Sequence, residues 1–537
     1  MMNSYSEIDG VPVGATPEYL TEILRDRWGF DGVVVSDYFS VAFLHLMHAV
    51  AANYGEAAEL ALRAGIDVEL PTGDAYLAPL LERIRAGLTD ESLIDVAVLR
   101  VLAQKEDLGL LDETFDTPPT EIDLDTAEHR QVARQLAEES LVLLTNDGIL
   151  PLRDADGRGP SRIAVIGPNA DSTEALMGCY SFVNHVLAHH PEVPAELDMP
   201  TVRQALQEEF PDANVVFAEG CAVEGDDASA VAAAVDAARA ADVAVVVVGD
   251  RAGLFGRGTM GEGNDVESLE LPGIQRALVE AVVASGTPVV MVVMSGRPYA
   301  IAWAVDGPNA PAAVVQSFFP GEEGGGAIAA LLSGAISPSG HLPVSLPRSA
   351  GAQPFSYLHP ILGGPSEVTS VDSTPVLPFG HGLAYTTFTR TELDADTAVV
   401  AGGTFWASVR IRNTGERAGT DLVQLYARDV HASVTRPVAQ LLGYRRVELA
   451  PGEEAVVRFQ VPTARLAFTG LQRERIVEPG QVELWVGPSC AAKETETQLT
   501  ITGGVHRVTL DDGRLVTTEV DRVGERDVVG ATEAAHA

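Results

Sequence analysis

Lysine is nearly absent from this 537-residue chain: Lys105 and Lys493 are the only ones, and the formal net charge is -40. A chain so acidic has no clustered lysine and arginine to offer phosphates, which excludes nucleic acid as a partner. Cysteine is scarce too. The three present, Cys179, Cys221 and Cys490, lie far apart without metal-ligand spacing, so neither a disulfide framework nor a zinc site is expected. No segment approaches the roughly 18 consecutive apolar residues of a membrane span, and no membrane partner is expected. The opening residues, MMNSYSEIDG, lack the basic and apolar regions of a signal peptide, which makes a cytoplasmic location the expectation.

What is present can build substantial cores: 46% of residues are hydrophobic and 6% aromatic. The length predicts roughly two to four domains. The first region centres on GFDGVVVSDY, Gly29 to Tyr38. Val33 to Val35, entered from Gly32, read as a strand buried on both faces, as in a parallel sheet. The run stops at Ser36-Asp37-Tyr38, and a carboxylate at the carboxyl end of such a strand sits where α/β barrels place catalytic groups. Ser and Asp also cap helices and tighten turns, so the position alone does not decide. Around it, MMNSYSEI is strand-like and ends in the turn signal Asp9-Gly10. Thr16 as N-cap with Pro17 at the first helical position starts a helix whose Leu20, Ile23, Leu24 and Trp28 share a face. An alanine-rich helix at 54–65, a strand at Ile66 to Pro71 and a helix capped by Thr89 complete the alternation of βαβ units. About three such units precede the proline-rich break at Thr117 to Thr120, whereas a full barrel takes eight units and about 250 residues.

The second region contains RIAVIGP, VVFAEG, DVAVVVVGD, PVVMVVMSG and AAVVQSFFPG, short apolar runs separated by helices such as ASAVAAAVDAARAA and IQRALVEAVVAS. These predict an open, mostly parallel sheet with helices on both faces. Between Asp250 and Leu271 lies a glycine-rich loop in which Gly256, Gly258 and Gly261 formally satisfy G-x-G-x-x-G. A dinucleotide fingerprint leaves its strand directly and opens a helix, and here Arg251 to Phe255 intervene while the next helix begins near Pro272. The competing reading is a mobile, backbone-permissive loop that delivers Glu262, between Gly261 and Gly263, into a neighbouring site. A surface loop with an incidental glutamate is the third.

The last region alternates: Phe405, Ala407, Val409 and Ile411 against Trp406, Ser408, Arg410 and Arg412, then Val457, Phe459 and Val461. Strict alternation predicts half-buried antiparallel strands, and with turns at NTGERAGTD and LAPGEEA a small β-sandwich. PFGHGLAYTTF, Pro378 to Phe388, connects it to the α/β region. ATEAAHA, at the end, is expected to be disordered.

NSYSEIDGVPVG, GFDGVVVSDY, AGIDVELP, RVLAQKEDLGLLDE, AEESLVLLTNDGILPL, IAVIGPNA, GEGNDVESLELPG, LPFGHGLAYTTF and the RNTGERAGTDLVQLY to LLGYRRVELAPGE stretch resemble, in order, the motifs of glycoside hydrolase family 3, the β-glucosidases and β-xylosidases. The resemblance implies a multidomain α/β protein: a partial (α/β)8 barrel over 1–116, a linker at 117–161, an α/β sandwich domain with a mostly parallel sheet at 162–350, a linker at 351–395, a fibronectin type III-like β-sandwich at 396–503 and an extension at 504–537. It places the family's nucleophile, the Asp of S-D-W/Y, on Asp37. Its acid/base, the glutamate of a G-E-G loop, falls on Glu262. Met2, Tyr5 and Tyr38 match residues that line the sugar subsite. The implied activity is that of a retaining, exo-acting β-glycosidase working on a β-glucoside or β-xyloside without metal or organic cofactor.

The chain departs from the pattern in one respect. The family's subsite also draws an aspartate, an arginine and a Lys-His pair from barrel strands upstream of S-Y-x-x-x-D-G, and those strands are not in this sequence. The expectation is therefore a truncated or split barrel whose partner is a chain supplying the missing strands, or a second copy of itself. The alternative is an inactive fragment that binds carbohydrate or a partner chain. The FVNHVLAHHP stretch, Phe182 to Pro191, leans towards xylosidase- or glucosidase-type members.

Overall fold

The computed structural model describes residues 1–112, 117 and 120–523, so ATEAAHA and most of the proline-rich break lie outside the described residues. The chain divides into two compact units, Met1–Asp123 and Leu124–Ala537.

In the first unit three parallel segments meet at Val35, which bridges Met2 on one side and Val68 on the other. Val35 N donates to Met1 O (2.8 Å), Val68 N to Val34 O (3.2 Å) and Ser36 N to Val68 O (2.7 Å). Only Val34 is fully buried. Val33 and Val35 project from the opposite face and are half-buried, so the expected burial on both faces is not realised. The helix Tyr54–Ala64 packs on this layer through Ala57, Ala58, Ala61 and Leu62 against Val34, Val41, Leu44 and Ile66. Its N-cap is Asn53, whose Oδ1 accepts from Glu56 N at 3.0 Å, and it ends on Gly65 in the left-handed region.

Three local readings change. The helix at Glu18–Arg27 is a π-helix with Pro17 at its N-cap rather than its first turn, while Thr16 Oγ1 accepts from Glu18 N at 3.3 Å. Its wider turn breaks the 3.6-residue period, so Leu20 and Leu24 are buried and Trp28 is exposed. Thr89 does not cap the helix Ser92–Asp107: Asp90 Oδ1 accepts from Ser92 N instead, and the buried Thr89 hydroxyl bonds Glu59 Oε2 at 2.7 Å.

A carboxylate holds these segments together. The Asp67 side chain is almost wholly buried, and its Oδ2 accepts from Arg25 Nη2 (2.7 Å) and Val34 N (2.9 Å), its Oδ1 from Arg100 Nη1 (2.9 Å).

In the second unit a six-stranded sheet is formed by β1 (Val142–Asn146), β2 (Arg162–Ile166), β3 (Asn214–Ala218), β4 (Val243–Gly249), β5 (Val289–Met294) and β6 (Ala313–Gln316), in the order β1-β6-β5-β4-β2-β3. Only the β1–β6 pairing is antiparallel. Strands buried on both faces explain the unbroken apolar runs: Ile163, Val165, Val245, Val247 and Val292 face one core with Leu206 and Ile328, while Ala164, Ile166, Val246, Val248 and Val293 face another with Leu278 and Val282.

A β-sandwich follows. One sheet joins β7 (Phe388–Ala395), β9 (Thr404–Asn413), β12 (Glu454–Pro462) and β15 (Thr517–Arg522), and the other β8 (Ala398–Val400), β10 (Gly419–Asp429), β11 (Gln440–Leu449), β13 (Gly480–Gly487) and β14 (Thr495–Thr502). The alternating residues Phe405, Ala407, Val409, Ile411, Val457, Phe459 and Val461 all point into its core.

Three stretches expected as linkers or an extension are structural. Within 117–161 lie the helix Ala127–Ser140 and β1, which closes the six-stranded sheet against β6. Within 351–395 lies β7, and within 504–537 lies β15, paired to β12. β7 and β15 escape a hydrophobicity reading because each is an edge strand that buries few residues, whereas β1 belongs to an apolar run, Leu141 to Leu144, that is buried throughout and that the linker reading overlooks. Pro378 to Phe388 follows β1: Leu383 N donates to Leu143 O (3.0 Å), and His381 Nε2 lies 2.8 Å from Leu144 O.

The network on Glu59 sets an acid limit for the first unit. Burial alone pushes its carboxyl up, but hydrogen bonds from Arg83, Thr89 and Arg63 outweigh that and hold it at about 2, below the ordinary 4.5. A depressed carboxylate stabilises the fold above its unfolded value, and that contribution is lost as pH falls from about 4.5 towards 2. Glu59→Gln is expected to cost on the order of 2–3 kcal/mol at pH 7 and to flatten the loss of stability over that acid window. Peptide-resolved hydrogen exchange over residues 54–64 measures both. Unchanged pH dependence in the variant disproves the assignment.

Candidate functional site

Asp37 lies where the central segment of the first unit leaves the Val35 bridge. Ser36 behind it is fully buried, with its Oγ accepting from Leu70 N at 2.8 Å, which ties the end of this segment to the next. Asp37 N donates to Asn3 Oδ1 (3.2 Å), an atom that also accepts from Ser40 Oγ (3.2 Å). The Asp37 carboxylate is held through one oxygen only: Oδ1 lies 2.9 Å from the Tyr5 hydroxyl and accepts from Tyr38 N at 2.7 Å. Among the described residues no hydrogen bond reaches Oδ2, so that oxygen is available to a ligand.

Of the sequence-predicted subsite residues, Tyr5 and Tyr38 gather at Asp37. Met2 sits on the adjacent segment, paired with Val35 two residues before it. All three are exposed, as is Phe39, and the Phe43 ring lies 5.6 Å from that of Tyr5 and 6.3 Å from that of Phe39. An aromatic surface beside a half-buried carboxylate suits a ligand with both apolar C–H faces and polar hydroxyls. Phe39 itself takes φ 63°, a left-handed turn that starts the helix Ser40–Leu46 directly behind the carboxylate. Asn3 is a site residue that pattern reading missed, one polar side chain in a strand-like run.

Glu262 belongs to the second unit, on the loop that leaves β4. That loop is pinned rather than loose. Asp250, fully buried at the end of β4, accepts from Thr259 Oγ1 (2.8 Å) and Gly296 N (3.2 Å) and from the Tyr299 hydroxyl. Burial, and then the Asp250 charge, raise the Tyr299 phenol, which keeps it a donor. Arg297 donates to the carbonyls of Thr259 and Asn264. Asn264 in turn spans the loop, donating to Gly253 O and accepting from Gly256 N, both at 2.8 Å. Residues 252 and 260 bridge as parallel neighbours, and Phe255 N donates to Glu262 O (2.8 Å). The expected mobility therefore gives way to a doubled-back hairpin cross-braced by side chains. Gly256, Gly258 and Gly261 open no helix, which removes the dinucleotide reading.

The Glu262 carboxylate is exposed, and its Oε2 accepts from the Tyr180 hydroxyl. Among the described residues no three His, Cys, Asp or Glu side chains are placed to hold a metal ion, and no helix is long and apolar enough to cross a membrane.

Comparison with known proteins finds three family matches along the chain: the glycosyl hydrolase family 3 N terminal domain at residues 1–104, the family's C-terminal domain at 141–385 and a fibronectin type III-like domain at 421–490. A beta-xylosidase of Formosa agariphila is 35% identical over 514 residues, covering 93% of this chain and 68% of that protein. A periplasmic beta-glucosidase of Salmonella typhimurium is 33% identical, covering 91% and 66%. Among solved structures, a β-glucosidase from Erythrobacter marinus superposes with a TM-score of 0.80 at 36% identity over 93% of this chain and 67% of that one. The β-glucosidase of Listeria innocua in complex with glucose does so with a TM-score of 0.81 at 31% identity over 94% and 67%. The chain thus spans about two thirds of the length of the relatives it matches.

Gly261 is the residue on which the placing of Glu262 turns. A Cβ there falls 1.9 Å from Gly253 O and 2.8 Å from Cys179 Cβ, at a φ of +132°. Gly261→Ala is expected to destabilise the loop by about 1–3 kcal/mol and to speed amide exchange over 252–264, with β4 unaffected. Exchange rates identical to the parent count against this.

Proposed function

Because the chain belongs to glycosyl hydrolase family 3, a family of enzymes acting on O-glycosyl bonds, we propose that it removes terminal β-glucosyl or β-xylosyl residues by a retaining double displacement, with Asp37 as nucleophile and Glu262 as acid/base. The observation that carries the reading is the one-sided hydrogen bonding of Asp37. A nucleophilic carboxylate has to be held in place while keeping one oxygen free, and the contacts on Oδ1 orient the group and leave Oδ2 to attack.

In the first half-reaction Asp37 Oδ2 forms a bond to the anomeric carbon as the bond to the leaving oxygen breaks, and Glu262 gives its proton to that oxygen. In the second, Glu262 takes a proton from water, the water oxygen bonds the anomeric carbon, and Asp37 departs as carboxylate. Such a pair works with its carboxyl groups about 5–5.5 Å apart across the sugar. The exposed rings of Tyr5, Tyr38 and Phe39 offer the apolar faces of a pyranose a surface beside the nucleophile.

Incubation with a 2-deoxy-2-fluoro glycoside followed by peptide mapping tests the nucleophile. A glycosyl adduct on Asp37 is expected, and an adduct elsewhere overturns the assignment. Asp37→Asn is expected to lower turnover by at least about 10⁴-fold with the fold intact. Glu262→Gly is expected to spare dinitrophenyl glycosides, whose departure needs no acid, and to recover turnover with azide. Equal losses on activated and unactivated substrates reject Glu262 as the acid. The ratio of kcat/KM on nitrophenyl β-glucoside and β-xyloside assigns the sugar.

A further inference from the structure

Glu262 is buttressed by a second segment, residues 173–190, that touches its loop at four places, the first an ion pair of Glu174 with Arg251 at 3.6 Å. Cys179 lies against Gly261, the Tyr180 hydroxyl reaches Glu262 Oε2, and the His189 ring nitrogens lie 3.1 and 3.3 Å from Arg257 Nη1. The segment has its own bracing. Ser181 Oγ accepts from Asn184 N (3.1 Å) to start the short helix Phe182–Val186, and Asn184 Nδ2 reaches the carbonyls of Met177 (2.8 Å) and Glu174 (3.1 Å). The Tyr180 ring stands edge-on to His185 at 5.6 Å, and His185 to His189 at 6.4 Å. Tyr180 thus meets the loop from a structure fixed at both ends.

We propose that Tyr180 is a positioning residue for Glu262: its hydroxyl donates to Oε2, fixes the plane of the carboxyl group and leaves Oε1 as the oxygen that gives and recovers the proton. The proposal rests on the acid/base reading of Glu262. Among the described residues Glu262 has no other side-chain hydrogen bond, so its orientation depends on this contact.

Tyr180→Phe in the full chain keeps the ring against His185 and removes only the hydroxyl. On alkyl β-glycosides kcat/KM is expected to fall roughly tenfold, as for the loss of one hydrogen bond to a charged group. Glycosylation by dinitrophenyl glycosides is expected to stay at the parent rate, because that step needs no acid. In a Glu262→Gly background the same change is expected to have no further effect. Carbodiimide labelling of Glu262 at fixed pH, followed by peptide mass spectrometry, reads the contact without turnover and is expected to quicken once no hydroxyl covers Oε2. A labelling rate equal to the parent's overturns the proposal, as do equal losses on both substrate classes or an undiminished effect in the Glu262→Gly background. Failure of azide to rescue Glu262→Gly removes the acid/base reading instead, and leaves the labelling rate as the separate measure of the contact.

Discussion

In each unit a buried carboxylate braces the backbone that carries a candidate site residue. Asp67 in the first unit and Asp250 in the second are both almost wholly removed from water. Burying an anion is costly unless every lone pair is met, so each draws in the groups that meet it. For Asp67 these are two guanidinium groups and the amide of Val34, three residues before Asp37. For Asp250 they are a threonine hydroxyl, a tyrosine hydroxyl and the amide of Gly296, with Arg297 close by. In both, satisfying the buried charge fixes the backbone that carries a candidate site carboxylate, half-buried in Asp37 and exposed in Glu262. Removing one partner leaves a buried charge uncompensated, which is why the geometry of the site carboxylates is insured by residues that never touch a ligand.

The parts of the fold legible in the sequence are those in which burial imposes a strong pattern. Val243–Gly249 and Val289–Met294 are covered on both faces and read as unbroken apolar runs; Thr404–Asn413 is covered on one face and reads as alternation. Where the pattern depends on tertiary partners it was not legible. The strand-like segments of the first unit meet through single bridges at Met2, Val35 and Val68, too little pairing to shape composition. Glu18–Arg27 carries a 3.6-period apolar face yet winds as a π-helix, so its last predicted member, Trp28, turns to solvent. β15 has almost no apolar content and owes its place to β12.

The candidate site divides the same way. Asp37 was visible because a carboxylate ends an apolar run, and Glu262 because glycines flank it on both sides. Asn3 and Tyr180 were not, since their roles are contacts across 34 and 82 residues of sequence, and nothing local distinguishes an asparagine in a strand or a tyrosine before a short helix. The glycine-rich loop shows how composition misleads. Glycines suggest freedom, yet Gly258 and Gly261 have positive φ and carbonyl oxygens within 2.5 Å of where a Cβ would sit, so they are there to let two strands of loop lie closer than side chains permit. Density of packing, not looseness, is what they supply.

The two carboxylates are held in ways that fit the different demands of the roles proposed for them. A nucleophile keeps one protonation state throughout and gains from a fixed frame. Asp37 has that frame: its amide is tied to Asn3, one oxygen is tied to Tyr5 and Tyr38, and the helix Ser40–Leu46 starts immediately behind it. A general acid that becomes a base has to exist in both protonation states, and a rigid cage of donors would trap it as the anion. Glu262 is exposed and has a single side-chain partner, a tyrosine hydroxyl that can donate to the carboxylate or accept from the acid. The backbone beneath it is as firmly fixed as that beneath Asp37; the difference lies only in the number and kind of groups on the carboxyl oxygens. Position is therefore set by the buried aspartates, and the orientation of each carboxyl group by the few contacts its oxygens make at the surface.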